Sequence, residues 1–142
     1  MVRIFCDADV LIAGAASTAG ASHILLQLSE LTLLVCLTSQ YAIQEAERNL
    51  LVKLPDALPA FRLILKAAAK ATPAPAPWLL HKLAGEAHPK DLAILGAAIS
   101  GKADFLATFN TRHFRPRRTA PIILQPRDVL ERIRWSLARL VE

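Results

Sequence analysis

Two aspartates stand one residue apart near the start of the chain, in Phe5-Cys6-Asp7-Ala8-Asp9, where an apolar run gives way to acids. Further acids recur at comparable places. Glu45 and Glu47 follow a second apolar run, Asp91 follows Pro89-Lys90, and Asp104 precedes Phe105-Leu106-Ala107-Thr108. These six are half of the chain's twelve carboxylates. Carboxylates gathered in one place repel one another and keep their protons unless a cation joins them. Oxygen-only ligation suits Mg²⁺ or Mn²⁺. Such ions, alone or as a pair about 3.5–4 Å apart, activate water and stabilise the leaving oxygen in phosphodiester cleavage. Each acid also has a plainer use. Asp7 or Asp9 suits the cap of a helix starting near Val10, and Glu45 suits a solvent-facing helix position. Asp91 suits the positive end of the helix it opens, and Asp104 suits a polar turn before a strand.

The elements that must position these acids follow from periodicity. Residues 2–6 and 32–37 are apolar runs of strand length, and 104–108 and 121–124 are two more. Residues 22–30 carry Ile24, Leu25 and Leu28 at helical spacing, and 41–52 repeat the pattern with Ile43, Ala46 and Leu50. Residues 57–70 read as a helix and 78–86 as a short one. Another runs over 88–100, opened by Pro89 and ended by Gly101. Residues 128–141 form an amphipathic helix, and TPAPAP at 72–77 is a stiff, extended connector. Short apolar strands alternating with helices predict an α/β fold: a three-layer α/β/α sandwich around a central, mainly parallel sheet. Ligands bind such folds at the carboxyl ends of the strands.

At 142 residues the chain reads as one domain over residues 1–142. Its 54% apolar and 20% charged content excludes intrinsic disorder. Cys6 and Cys36 each sit in an apolar run and are too few for a disulfide framework, so they read as reduced core thiols. His23, His81, His88 and His113 are scattered without zinc spacing. Asp7 and Asp9 stand where a secretory leader needs positive charge, and the uncharged stretch 10–29 is too polar to span a membrane. The expectation is a cytoplasmic protein without membrane contact. Its net charge of +5 suits a polyanionic partner.

Three stretches taken together resemble the PIN domain family, which includes the VapC-type toxins. They are Phe5-Cys6-Asp7-Ala8-Asp9-Val10-Leu11-Ile12, then SQYAIQEAERNL around Glu45, then KDLAILGAAISGKADFLATFNTRHF. The likeness covers nearly the whole chain, and the block from Asp91 to Phe114 carries most of it. It implies an α/β/α fold and a Mg²⁺- or Mn²⁺-dependent ribonuclease leaving 5′-phosphate and 3′-hydroxyl ends. By position, Asp7, Glu45, Asp91 and Asp104 match the family's acids. Asp7, Asp91 and Asp104 would then hold the metal, while Glu45 would ligate it or orient a water. Thr108 matches the Ser/Thr that lines this site. Two positions depart from the pattern. Asn110 stands where many members have Asp, leaving a supporting hydrogen-bonding role and less basis for a second metal. Asp9 stands where many have Asn.

An acidic cavity repels RNA, so phosphates need cations beside it. Arg112, Arg115, Arg117 and Arg118 put four guanidinium groups in seven residues just after the Thr-Phe-Asn segment, although a charge run of this kind also suits a solvated loop. Trp78 and Trp135 are large rings able to stack on bases or to pack within the fold. Two alternatives use the same residues. One is a catalytically weak PIN-like RNA-binding module, for which Asn110 leaves room. The other resembles the haloacid dehalogenase superfamily, with Asp7-Ala8-Asp9 as a phospho-aspartyl motif and Thr38 as a second one. The resemblance further implies RNA as partner and, for a toxin, a small antitoxin protein; the apolar fraction leaves room for a homodimer.

Overall fold

The computed structural model describes residues 1–141. Its elements run β1 (Arg3–Cys6), α1 (Ala8–Ala16), α2 (Ala21–Glu30), β2 (Val35–Ser39), α3 (Gln40–Lys53) and α4 (Leu58–Ala68). They continue with β3 (Ala69–Thr72), α5 (Pro77–Lys82), α6 (Leu92–Ser100), β4 (Phe105–Ala107), β5 (Ile122–Leu124) and α7 (Pro126–Val141). The strands form one five-stranded sheet in the order β3-β2-β1-β4-β5. Every pairing is parallel. The architecture is the expected α/β/α sandwich.

Burial explains the order. Ile4, Phe5 and Cys6 of β1 are all 0% exposed, as are Leu106 and Ala107 of β4; such runs need cover on both faces. On one side α1, α2 and α4 pack on one another with α7 against α2, and on the other α6 lies against β2, β3 and β4 with α5 beyond it. The uncharged stretch 10–29 is divided between α1 and α2, which meet at 90°. Gly14 permits that approach, because a Cβ there would stand 2.5 Å from Leu26 Cδ1. No single helix among the described residues is long and apolar enough to cross a membrane. Cys6 and Cys36 are buried free thiols.

Some elements differ from expectation: β2 covers Val35–Ser39 rather than 32–37, the short helix expected over 78–86 ends at Lys82, and a strand appears that no apolar run announces. The helix predicted over 57–70 ends at Ala68, and residues 69–72 add a parallel edge strand, from Cys36↔Ala69 to Ser39↔Thr72. Ala-Lys-Ala-Thr has no apolar run because an edge strand is covered on fewer sides; only Thr72 of the four is buried. The threonines close the carboxyl edge of the sheet. Thr38 Oγ1 donates to the Cys6 carbonyl at 3.1 Å, and Thr72 Oγ1 donates to the Thr38 carbonyl at 3.1 Å.

Leu106 sits in a three-residue strand between two others and is fully buried. Leu106→Ala is expected to cost about 2–5 kcal/mol, seen as a lower urea midpoint with little change in slope. A change below about 0.5 kcal/mol would show that this position is not packed as described.

Candidate functional site

The carboxyl edge is built where β1 and β4 end side by side. Cys6 pairs with Ala107, and the Asp7 amide donates to the Ala107 carbonyl at 3.0 Å. Asp7 therefore emerges beside Thr108. Asp7 is also the N-cap of α1: one carboxylate oxygen accepts the Ala8 N–H at 2.8 Å. The other accepts the Thr108 hydroxyl at 2.9 Å. Asp9, in the first turn of α1, reaches the same place. Its Oδ2 accepts the Phe109 N–H at 3.0 Å and the Asn110 side-chain amide at 3.2 Å, while its Oδ1 is buried with no partner.

Electrostatics follow from this crowding. Asp7 is 6% exposed. Burial, then the neighbouring Asp9 charge, push its carboxyl up to about 7, against the opposing pull of the Ala8 and Thr108 hydrogen bonds. Burial also raises Asp9, against the hydrogen bonds it accepts. Glu45, half-buried on α3, lies close enough for its charge to raise both.

The remaining expected acids divide. Asp91 stands at the N-terminus of α6, which runs back from this edge, and its Oδ2 lies 3.1 Å from His113 Nδ1. It belongs to the same edge, paired with a histidine. Asp104 does not share the site. It precedes β4, at the amino end of the sheet, where it exchanges hydrogen bonds with the backbone of Arg3 (Arg3 N–H to Oδ2 2.8 Å, Asp104 N–H to Arg3 O 2.8 Å). With β4 between them, Asp104 and Asp7 stand about 10–13 Å apart along the strands. The expectation that Asp7, Asp91 and Asp104 jointly hold a metal is thereby corrected: a strand's preceding residue lies at the edge opposite to its following one. Among the described residues no three His, Cys, Asp or Glu side chains are grouped as a ready metal cage.

The arginines divide as well. Arg112 and Arg115 are exposed and form no ion pair among the described residues. Arg118 is clamped on Glu86, its Nε 3.3 Å from Oε1 and its Nη2 3.2 Å from Oε2. The Arg117 N–H donates to Glu86 Oε1 at 2.8 Å, and its guanidinium reaches the Ala84 carbonyl. Arg118, helped by the Arg117 amide, lowers the Glu86 carboxyl despite burial, which acts the other way. Arg117 and Arg118 therefore fasten the loop rather than stand free for phosphates. Glu86, only 3% exposed, escapes sequence reasoning because 78–86 reads as one helix, whereas α5 ends at Lys82 and Glu86 lies in the turn beyond it; Gly85, which takes a positive φ, is the one local signal. Trp135 lines a groove with Val2, Leu33 and Phe105 toward the amino end, away from the acids. Trp78 stands exposed on α5. Thr38 is 1% exposed and committed to a carbonyl, so it offers no hydroxyl to a phosphate as a phospho-aspartyl enzyme would need.

The donor set fits one hard dication. Mg²⁺ keeps much of its water and binds through one or two carboxylates, and Asp7 with Asp9 supplies that number. The unpartnered Asp9 Oδ1 is an acceptor without a donor, and both carboxylates resist ionisation without a counter-charge. Thr108 and Asn110 hold the outer lone pairs. The set does not fit a three-carboxylate cage.

Between pH 4 and 7 the folded Asp7 retains a proton that the unfolded carboxyl, near 3.8, has lost. Its contribution to stability is therefore greatest below about pH 4 and falls as pH rises toward 7, by up to ~4 kcal/mol. In chelator, Asp7→Asn, which keeps a good capping side chain, is expected to gain melting temperature over wild type as pH goes from 4.5 to 7.5. A constant difference would show that Asp7 is not strained by ionisation. Asp104→Ala is expected to cost about 0.5–1.5 kcal/mol and to leave any Mn²⁺-induced rise in melting temperature unchanged. Loss of that rise would return Asp104 to the ligand set.

No family model matches the chain and no curated protein matches it, so its likeness to the PIN family rests on the residues alone.

Proposed function

We propose that the chain is a PIN-like, Mg²⁺- or Mn²⁺-dependent endoribonuclease. The observation that carries this reading is the buried Asp7 with half-buried Asp9 beside it, Asp9 Oδ1 being left unpartnered at the carboxyl edge of a parallel sheet. A dication bound there supplies a lowered water pKa and offsets charge gathering on a phosphate. Asp7 and Asp9 hold it. The Thr108 hydroxyl and the Asn110 amide keep the two carboxylates aimed. Glu45 orients the attacking water. Arg112 and Arg115 receive the phosphates that the acids would repel. Asp91 holds the His113 ring at the rim.

A second reading is favoured by Asn110 and by the lack, among the described residues, of a third acid grouped with the pair: an RNA-binding module with little cleavage. One experiment separates them. Single-stranded RNA is incubated with wild type and Asp7→Asn in Mn²⁺, in Mg²⁺ and in chelator. The expected result is cleavage by wild type only with a dication, reduced about 100-fold or more in Asp7→Asn. RNA binding without metal-dependent cleavage supports the module. Absence of both binding and cleavage contradicts either reading.

A further inference from the structure

We propose that Phe109 and Tyr41 are base-stacking platforms on the two sides of the acids, and that they select unpaired nucleotides at the scissile position. This rests on the ribonuclease reading and adds substrate-contacting residues that the acids and arginines do not supply.

Phe109 follows Thr108, which is 0% exposed, yet is itself 45% exposed. Its place is fixed. Its own N–H donates to Asp9 Oδ2, and its neighbours Thr108 and Asn110 donate side-chain hydrogen bonds to Asp7 and Asp9. A large apolar ring is thus held within one residue of the carboxylate contacts without being used in the core. Tyr41 is 45% exposed in the first turn of α3, four residues before Glu45 and so on the same helix face. Its hydroxyl donates to the Lys90 carbonyl at 3.3 Å, tying the ring to the segment that leads into Asp91.

Exposed aromatic rings beside a phosphate-binding site are what single strands use, because every base offers a π-face. Phe109 is rooted in backbone bonded to Asp9 and the Tyr41 ring is held through its hydroxyl, so little freedom is lost when a base stacks. Exposed Arg112 and Arg115 follow Phe109 within six residues and provide phosphate contacts on that side. In a duplex the bases are already stacked on one another, and these rings have nothing to receive.

The test is equilibrium binding of a labelled single-stranded RNA and of its duplex, in Mg²⁺, with Asp7→Asn as the parent to keep RNA intact. Phe109→Ala and Tyr41→Ala are expected to weaken single-strand binding by about five- to 150-fold each. Phe109→Trp and Tyr41→Phe are expected to stay within about threefold, since the ring remains. The salt dependence should be unchanged in Phe109→Ala but shallower in Arg112→Ala with Arg115→Ala. Both residues are exposed, and circular dichroism checks that each variant is folded. Single-strand binding unaffected by Phe109→Ala, or equal affinity for duplex, overturns the stacking proposal while leaving the ribonuclease reading in place. No RNA binding by the parent or by wild type overturns both.

Discussion

A buried carboxylate at the end of a central strand, with a second, half-buried one beside it on the following helix, dominates this molecule. Asp7 cannot retreat into solvent, because the carboxyl end of β1 is flanked by β2 and β4 and covered by α1. Asp9, in the first turn of the same helix, stands half-buried beside Asp7. Burial disfavours both charged forms, and nearby charge adds to it, that of Asp9 at Asp7 and that of Glu45 at both. A fold that keeps such a pair bears a cost unless something positive arrives, and the unpartnered Asp9 oxygen marks where it would bind.

The surrounding structure serves to hold that pair still. Register sets Asp7 beside Thr108, since the last paired residues of the two strands are Cys6 and Ala107. Thr38 and Thr72 tie β2 to β1 and β3 to β2 at the same edge. The segment after β4 then turns through Asn110 to His113, which meets Asp91, and on to the Glu86 clamp on Arg117 and Arg118. The loop is thus fastened at both ends, and Arg112 and Arg115, exposed and with no side-chain hydrogen bond among the described residues, lie in between.

Much of this is legible in the chain itself. Apolar runs locate β1, β2, β4 and β5, and helical spacing locates most of the helices, because burial imposes those periods. The β1 acids, Thr108 and Asn110 are legible because they directly follow strands. Asp104 misleads for the complementary reason: it lies next to a strand but before it, and three residues of β4 carry the chain to the other edge. Edge strand β3 has no apolar run to announce it, and its Ala-rich residues continue the composition of the helix ahead. Glu86 and the pairing of Asp91 with His113 depend on loops brought together in space, which no local spacing records.

The most direct measurement of the central claim is calorimetric titration of Mn²⁺ into the wild-type protein near pH 7, in two buffers of different ionisation enthalpy. The expected result is saturable binding of roughly one ion per chain with release of protons, because the cation displaces the proton that a share of Asp7 carboxyls, pushed up to about 7, still hold near that pH. Absence of saturable binding, or binding with no proton released, would contradict it.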